Sequence, residues 1–169
     1  TGIYKPLKVK HTISPSMDIQ VASNFERLIF DICSCNSNEV LKLMNELNKK
    51  GEFTLKDENL DKIRASFFSE SLSEEETKSV IKEIFKKEGT LIDPHTAVAI
   101  GAANKVPLQD DIVVLGTAHP AKFSDVIIKE TSTKPELPGN LKKMLNKKEK
   151  FEKLPKDLKK VKDYIFDRV

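Results

Sequence analysis

The sequence predicts an α/β fold that is rich in helices and has few strands of its own. Amphipathic helical patterns with start and stop signals recur between residues 23 and 89. The best candidate for a buried strand is the apolar run Ile112–Leu115, and helical patterns flank it within residues 93–130. Such a unit is typical of a parallel sheet, and one strand cannot form a sheet. The chain also lacks an initial Met, so we expect it to be part of a longer protein.

The chain begins with an extended segment that leads into two helices. Residues 1–22 contain helix-breaking prolines and are predicted to be extended or loop-like. Apolar residues at helical spacing follow Ser23, where the first helix is expected to begin. Asn36 opens the second helix and stands three residues before Glu39, the spacing of a capping box. Gly51 is expected to end that helix in the left-handed conformation.

The middle of the chain contains a short strand and a strongly capped helix. Phe53–Leu55 is predicted to form a short strand, and a helical turn is expected after it, before Leu60. Ser73 and Glu76 have the spacing of a capping box, and the acidic first turn that they enclose suits the helix dipole. The helix that follows is expected to end at Gly89.

Two further helices are predicted on either side of the apolar run, and another near the end. Asp93 is an N-cap residue followed by Pro94, which is favoured at the first helical position. Residues 96–105 are rich in Ala and Gly, which predicts a helix that packs closely against its neighbours. A helix is expected after the apolar run, over 118–130, and the last helix is expected to begin near Pro155.

Charge is distributed unevenly along the 169 residues, whose net charge is +3. Residues 131–169 contain 12 Lys or Arg and 6 Asp or Glu, so this tail carries +6 and the rest −3. A basic tail can bind nucleic acid. Here apolar residues alternate with the lysines at helical spacing, which favours the solvated face of an amphipathic helix. We therefore expect no nucleic acid among the partners.

The remaining composition indicates a cytoplasmic protein. No apolar run approaches the length of about 20 residues that a membrane helix needs, so no membrane partner is expected. The opening Thr1–Tyr4 has no features of a secretory signal. Cys33 and Cys35 are spaced C-x-C, which is poor both for a disulfide and for a zinc site, and this favours two reduced thiols. No metal site is predicted.

The end of the apolar run carries the candidate chemistry. It places the hydroxyl of Thr117, the imidazole of His119 and the ammonium of Lys122 where open α/β sheets bind ligands. Thr117 could bind a ring nitrogen or a phosphate oxygen, or it could merely cap the next helix. His95 and His119 each lie at the start of a helix, so a purely structural role is open to both. Phosphate-binding glycine loops of the Walker or dinucleotide type are absent from the sequence.

Several segments, in this order, resemble threonine synthases of the branch found in many bacteria and in fungi. The closing motifs Asp-Pro-His-Thr-Ala-Val-Ala (93–99) and Gly-Thr-Ala-His-Pro-Ala-Lys-Phe (116–123) are similar to those of that family. Upstream, Ser-Pro-Ser-Met-Asp-Ile-Gln (14–20) and Ser-Asn-Phe-Glu-Arg-Leu (23–28) resemble it in the same order, and Thr1–Tyr4 fits its position there. The resemblance covers residues 1–131 well and the Lys-rich tail only in general character.

The resemblance implies the carboxyl-terminal part of a type II pyridoxal-phosphate fold. The family converts O-phosphohomoserine and water to L-threonine and phosphate, with pyridoxal phosphate as its cofactor. The threonine that matches Thr117 binds the pyridine nitrogen of the cofactor in that family. His119, Lys122 and Asp18 are expected to hold substrate or phosphate, or to order the loop, while Arg27 is expected beside the same cleft.

Two parts of the family pattern are missing from this sequence. The lysine that forms the Schiff base lies in a Phe-Lys-Asp context, and neither that tripeptide nor the phosphate-cradling Gly-Asn-Phe-Gly occurs here. The chain is therefore expected to lack a catalytic residue of its own, to be inactive alone, and to need the upstream part of the same enzyme. The alternatives are a threonine-synthase-like lyase acting on a related phosphorylated amino acid, and a non-catalytic helical interaction module.

The sequence also predicts a division into two regions. Residues 1–131 are expected to be the carboxyl-terminal part of the catalytic domain, including the helical segment 23–89. Residues 132–169 are expected to form a Lys-rich helical extension.

Overall fold

A computed structural model describes residues 1–107, 111–142, 144 and 147–169, which form two compact units, Thr1–Pro135 and Glu136–Val169. The first unit contains two short strands and six helices within its described residues. The predicted division at residue 131 stays a prediction. The elements are β1 (Ile3–Tyr4), α1 (Ser23–Ile32), α2 (Ser37–Lys50), β2 (Phe53–Thr54), α3 (Asp57–Ser66), α4 (Glu74–Glu88), α5 (Pro94–Lys105), α6 (Ser124–Thr131), α7 (Gly139–Lys142) and α8 (Leu158–Phe166).

The amino-terminal half of the first unit closes around one apolar core. Helices α1 and α2 pack against each other, α1 also packs against α3, and α2 packs against β2. The helical spacing of apolar residues directs one face of each helix inward, as the sequence predicts. The buried members of this core are Ile29, Cys33, Val40, Leu43, Phe53 and Leu55.

The two strands pair antiparallel, with Ile3 opposite Thr54 and Tyr4 opposite Phe53. Tyr4 stacks on Phe53 with ring centroids 5.1 Å apart, and its hydroxyl donates to the Gln20 carbonyl at 2.8 Å. The extended amino-terminal segment is thereby held against the helical core. The strand predicted at residues 53–55 is confirmed, with residues 53 and 54 in the ladder.

A second, smaller core joins the helices that surround the candidate site. Helix α4 packs against α5 and α6, and Ile81, Ala97 and Ile127 are completely buried between them. The side chain of Glu130 is 6% exposed and pairs with Lys82 at 2.8 Å, which ties α6 to α4. The small residues of α5 permit this close approach, as the sequence predicts.

The predicted helix boundaries are largely confirmed. The Ser73 hydroxyl accepts from the Glu76 amide, and the Glu76 carboxylate accepts from the Ser73 amide, so the capping box is complete. Gly51 and Gly89 end α2 and α4 with φ of 77° and 63°. These φ values lie in the left-handed region, where glycine lacks the Cβ penalty.

Only half of the capping box predicted at Asn36 forms. The Asn36 side chain accepts from the amides of Asn38 and Glu39, as an N-cap does. The Glu39 carboxylate, however, pairs with Lys56 at 2.6 Å. The capping box would have paired the Glu39 carboxylate with the neutral backbone amide of Asn36. The charged ammonium of Lys56, in the loop after β2, binds it instead, because a charged donor forms the stronger hydrogen bond.

The strand predicted at Ile112–Leu115 is wrong for this structure. These residues have no regular secondary structure, and Val113 and Leu115 are 86% and 74% exposed. An extended apolar segment becomes a buried strand only when neighbouring strands supply its hydrogen bonds and cover its faces. Such a neighbour is absent from the described part of the chain. Residues 108–110 before it lie outside the described residues.

Helix α6 matches the helical pattern that runs from Ser124 to Glu130, but it does not begin directly after Thr117. A 3-10 turn at Pro120–Phe123 precedes it, and the α-helical residues begin only at Ser124. Pro120 has no backbone N–H to donate, which suits the first position of this turn.

The second unit contains α7 and α8. Asp157 caps α8 by accepting from the Lys160 amide at 2.9 Å, two residues after the Pro155 at which the sequence predicts the helix to begin. The Arg168 guanidinium lies 3.6 Å from the ring centroid of Tyr164, a cation–π contact.

Two further properties concern membranes and thiols. Among the described helices, none combines the length and the apolar character that crossing a bilayer requires. Both cysteines are free thiols, Cys33 buried and Cys35 exposed. Burial raises the pKa of Cys33, and the side-chain Nδ2 of Asn59 donates to its sulfur at 3.4 Å. A buried thiol of raised pKa is chemically inert.

Candidate functional site

The start of α5 is built around a buried carboxylate. Asp93 is 1% exposed and caps the helix, as predicted. Its carboxylate accepts from the His95 amide at 2.9 Å, from His95 Nδ1 at 2.8 Å and from the Thr96 hydroxyl. Three donors satisfy the carboxylate and compensate the cost of burying its charge. Asp93 therefore anchors its neighbours and is closed to a ligand.

His95 uses both of its ring nitrogens inside the protein. Its Nε2 accepts from the backbone amide of Ser16 at 3.1 Å, so the ring proton lies on Nδ1, which donates to Asp93. The ring is 5% exposed and lies 4.8 Å, centroid to centroid, from the ring of Phe123. Of the roles that the sequence leaves open for His95, the structure places it in a buried, fully paired one.

Gly116 and Thr117 lie beside this helix start. A Cβ built on Gly116 would lie 3.7 Å from the Thr96 hydroxyl oxygen, so the backbone of residue 116 is close to the first turn of α5. Thr117 is exposed, and its hydroxyl forms no hydrogen bond with any described residue. Thr117 does not cap a helix, which removes the structural alternative left open by the sequence.

His119, and not Thr117, caps the turn that follows. Its Nδ1 accepts from the Ala121 amide at 3.2 Å, and its carbonyl accepts from the Lys122 amide at 3.0 Å. Both side chains are exposed, and the Lys122 ammonium forms no ion pair within the described residues. The geometry gives His119 a local ordering role and leaves Lys122 available to an anion.

Asp18 lies in the loop that reaches His95. Its two carboxylate oxygens accept from the Thr12 hydroxyl at 2.6 Å and the Thr12 amide at 2.9 Å. These hydrogen bonds from Thr12 lower the pKa of Asp18. A carboxylate kept ionised repels phosphate, so the arrangement favours loop ordering over phosphate binding for Asp18.

The structure therefore brings together three of the four motif segments. Ser16, His95 and Phe123 come from segments 14–20, 93–99 and 116–123, and they meet at the start of α5. Arg27 is not part of this group. It donates to Asn24 on its own helix and lines an open groove of about 650 Å³ between α1 and α2.

Sequence reasoning missed the chain of hydrogen bonds that joins these segments. It identified Asp93 as an N-cap and His95 as a helix-opening residue, but no local signal indicates that Ser16 binds the imidazole. Among the described residues, His, Cys, Asp and Glu side chains do not gather in groups of three or more that could hold a metal ion.

The fold is that of the carboxyl-terminal part of a pyridoxal-phosphate enzyme. It superposes on the PLP-bound threonine synthase of Brucella melitensis with a TM-score of 0.83 and 38% identity, over 98% of this chain and 36% of that one. The yeast threonine synthase structure gives a TM-score of 0.76 and 31% identity, over 98% of this chain and 38% of that one.

Sequence comparison agrees with the structural match. A family model described as the carboxyl-terminal domain of threonine synthase matches residues 96–165. The threonine synthase of Pseudomonas aeruginosa is 37% identical over 157 residues, which cover 91% of this chain and 34% of that protein. The chain belongs to the threonine synthase family, and it spans about a third of the length of the curated relatives it matches.

Proposed function

We propose that this chain provides the Thr117 wall of the cofactor site in a threonine synthase that converts O-phosphohomoserine and water to L-threonine and phosphate. The observation that carries the proposal is the exposed Thr117 hydroxyl, which has no partner in the described residues and lies directly after Gly116 at the buried start of α5. Pyridoxal phosphate, when bound, supplies the electron-withdrawing ring on which such chemistry depends. The resident residues fit that ring, because a hydroxyl can donate to a neutral ring nitrogen.

The choice of a hydroxyl at position 117 has a chemical consequence. A carboxylate partner would hold a proton on the pyridine nitrogen, whereas a hydroxyl donates its own proton and leaves that nitrogen largely unprotonated. Thr117 would thereby orient the ring, and by leaving the nitrogen unprotonated it would also set how strongly the ring withdraws electrons. The buried Asp93 cluster is the rigid support beneath it.

The other predicted site residues support this arrangement in different ways. We propose that Lys122, an exposed ammonium one turn beyond Thr117, attracts the phosphate of the substrate. His119 orders the turn by capping it, and Asp18 orders the upstream loop through Thr12. None of these groups is proposed to form a covalent bond.

The chain is proposed to be inactive by itself. It contains neither Phe-Lys-Asp nor Gly-Asn-Phe-Gly, so the reactive lysine and the phosphate cradle must come from the upstream part of the enzyme. The exposed apolar residues Val113 and Leu115 support this view, because pairing with strands of that part would cover them.

The test compares Thr117→Val with Thr117→Ser in the complete enzyme. Val keeps the shape and removes the donor, so we expect kcat to fall roughly tenfold or more and the cofactor absorbance band to shift. Ser keeps the hydroxyl and should retain most of the activity and the original spectrum. Unchanged activity and absorbance in Thr117→Val would remove Thr117 from the site. Phosphate release by the 169-residue chain with added pyridoxal phosphate would overturn the proposed need for the upstream part.

A further inference from the structure

His95 lies at the centre of a chain of contacts that the proposed function does not use. The Ser16 amide donates to His95 Nε2 across 79 positions of sequence, and the His95 ring packs on Phe123. One buried side chain thus touches two loops that both carry proposed site residues, Asp18 in the first and Thr117 in the second.

Asp93 fixes the imidazole in the orientation that this contact needs. It accepts from Nδ1, which leaves Nε2 with its lone pair toward the Ser16 amide. The same carboxylate binds the backbone amide of residue 95 and the Thr96 hydroxyl, so neither ring nor helix turn can rotate freely. An oriented ring loses less entropy in making the distant bond than a free one would.

Each loop is ordered internally, so a single contact can position it as a body. In the first loop, Asp18 binds Thr12 through both carboxylate oxygens, and the Thr12 hydroxyl lies 3.1 Å from the Ser14 hydroxyl. In the second, His119 caps the turn that contains Phe123. The Ser16–His95 hydrogen bond therefore positions the whole first loop, and the contact between His95 and Phe123 positions the whole second segment.

We propose that His95, oriented by Asp93, is a positioning residue that sets the distance between the loop Ser14–Asp18 and the segment Gly116–Phe123. The ring is 5% exposed and both of its nitrogens are occupied, so His95 offers no polar group to a cofactor or substrate. Its effect on catalysis rests on the proposed function, since a misplacement of about 1 Å between groups that hold a substrate can cost roughly 100-fold in rate. Its effect on the two loops does not depend on that function.

Two pairs of variants in the complete enzyme test the proposal. His95→Asn keeps a donor near Asp93 but is too short to offer an acceptor at the Nε2 position, whereas His95→Gln can still reach Ser16. Ser16→Pro removes the backbone donor without touching His95, and Ser16→Ala keeps it. The second pair keeps the test decisive if a substitution at the buried His95 prevents folding.

The first measurement is amide hydrogen exchange over residues 12–20 and 116–123. We expect roughly five- to tenfold faster exchange in both segments for His95→Asn, the size of one lost hydrogen bond. Ser16→Pro should do the same over 12–20, while Ser16→Ala stays close to wild type. His95→Gln, which keeps the Ser16 bond but loses the Nδ1 donor to Asp93, should lie between wild type and His95→Asn. The amides of α2, which belong to the other core, should exchange at the wild-type rate in all four variants.

The second measurement is steady-state kinetics with O-phosphohomoserine. His95→Asn and Ser16→Pro should raise KM more than they lower kcat, and His95→Gln should recover most of the loss. A uniform increase in exchange that includes α2, or unchanged loops with unchanged kinetics, would make His95 an ordinary core residue and overturn the proposal. If the wild-type enzyme bound no cofactor, the proposed function would fail, and the exchange result would still decide the role of His95.

Discussion

The two cores of the first unit differ in how completely the chain itself covers them. The core around Ile29 is enclosed by α1, α2, α3 and the two paired strands. The core around Ile81 is enclosed by α4, α5 and α6, but the apolar segment 112–115 that follows α5 in sequence lies exposed. Local helical patterns account for the first region, whereas the second contains an apolar segment that no described strand covers.

The largest expected effect comes from weakening the self-contained core. Ile29 is completely buried, so Ile29→Ala should lower the free energy of unfolding by about 2–5 kcal/mol, through lost burial and the cavity left behind. Urea denaturation of the chain measures this. Ile29→Val is the matched control and should cost only about 0.5–1.5 kcal/mol. A loss below about 1 kcal/mol for Ile29→Ala would mean that the first core is not closed as described.

A smaller effect on stability is expected from the ion pair that joins α4 and α5. The Lys105 ammonium binds Glu76 at 2.8 Å, and this bond, together with those from Ser73, lowers the Glu76 pKa from 4.5 to about 2. A depressed carboxyl pKa contributes stability that is present above the unfolded-state pKa and is lost as pH falls through the folded one. The stabilisation by Glu76 should therefore disappear between about pH 4.5 and pH 2.

The check is to follow stability against pH for Glu76→Gln. The wild type should be the more stable protein near neutral pH, and the difference should shrink through that acidic window and with added salt. Glu75→Gln removes the same charge from the same helical turn, and Glu75 has no ion-pair partner among the described residues, so it serves as control. If both variants showed one pH profile, the Lys105 contact would contribute nothing.

The smallest effect is expected at the exposed apolar segment of the isolated chain. Val113 is 86% exposed, so Val113→Ser should change the unfolding free energy of the 169-residue chain by no more than about 0.5 kcal/mol. In the complete enzyme the same change should cost about 1.5–3 kcal/mol, the value of burying a Val side chain. Thermal unfolding of both forms makes the comparison. An equal loss of unfolding free energy in the isolated chain and the complete enzyme would show that Val113 is not covered by the upstream part.

Residues close in sequence made most of the helix boundaries predictable. The caps at Asn36, Ser73 and Asp93 and the glycine ends at 51 and 89 depend on groups within about four positions of one another. The prediction failed where a distant group competed. Lys56 pairs with the Glu39 carboxylate, and segment 112–115 has no strand partner among the described residues.

The candidate site was predictable as a set of motifs but not as an arrangement. The family resemblance predicted a cofactor contact for Thr117, whereas only the structure shows that His119, and not Thr117, caps the turn that follows. The loop-ordering bonds of Asp18 to Thr12 span six positions and carry no pattern that the sequence reveals.

Most helices, most of their caps and the family resemblance follow from neighbouring positions or from motif order, and that resemblance alone predicts which residues face the proposed cofactor. That His95 joins two loops and that Val113 lies exposed could be learned only from the packed fold. The hydrogen bond between Ser16 and His95 joins residues 79 positions apart, so it forms only after both segments have packed. The burial of a side chain likewise depends on which other segments cover it.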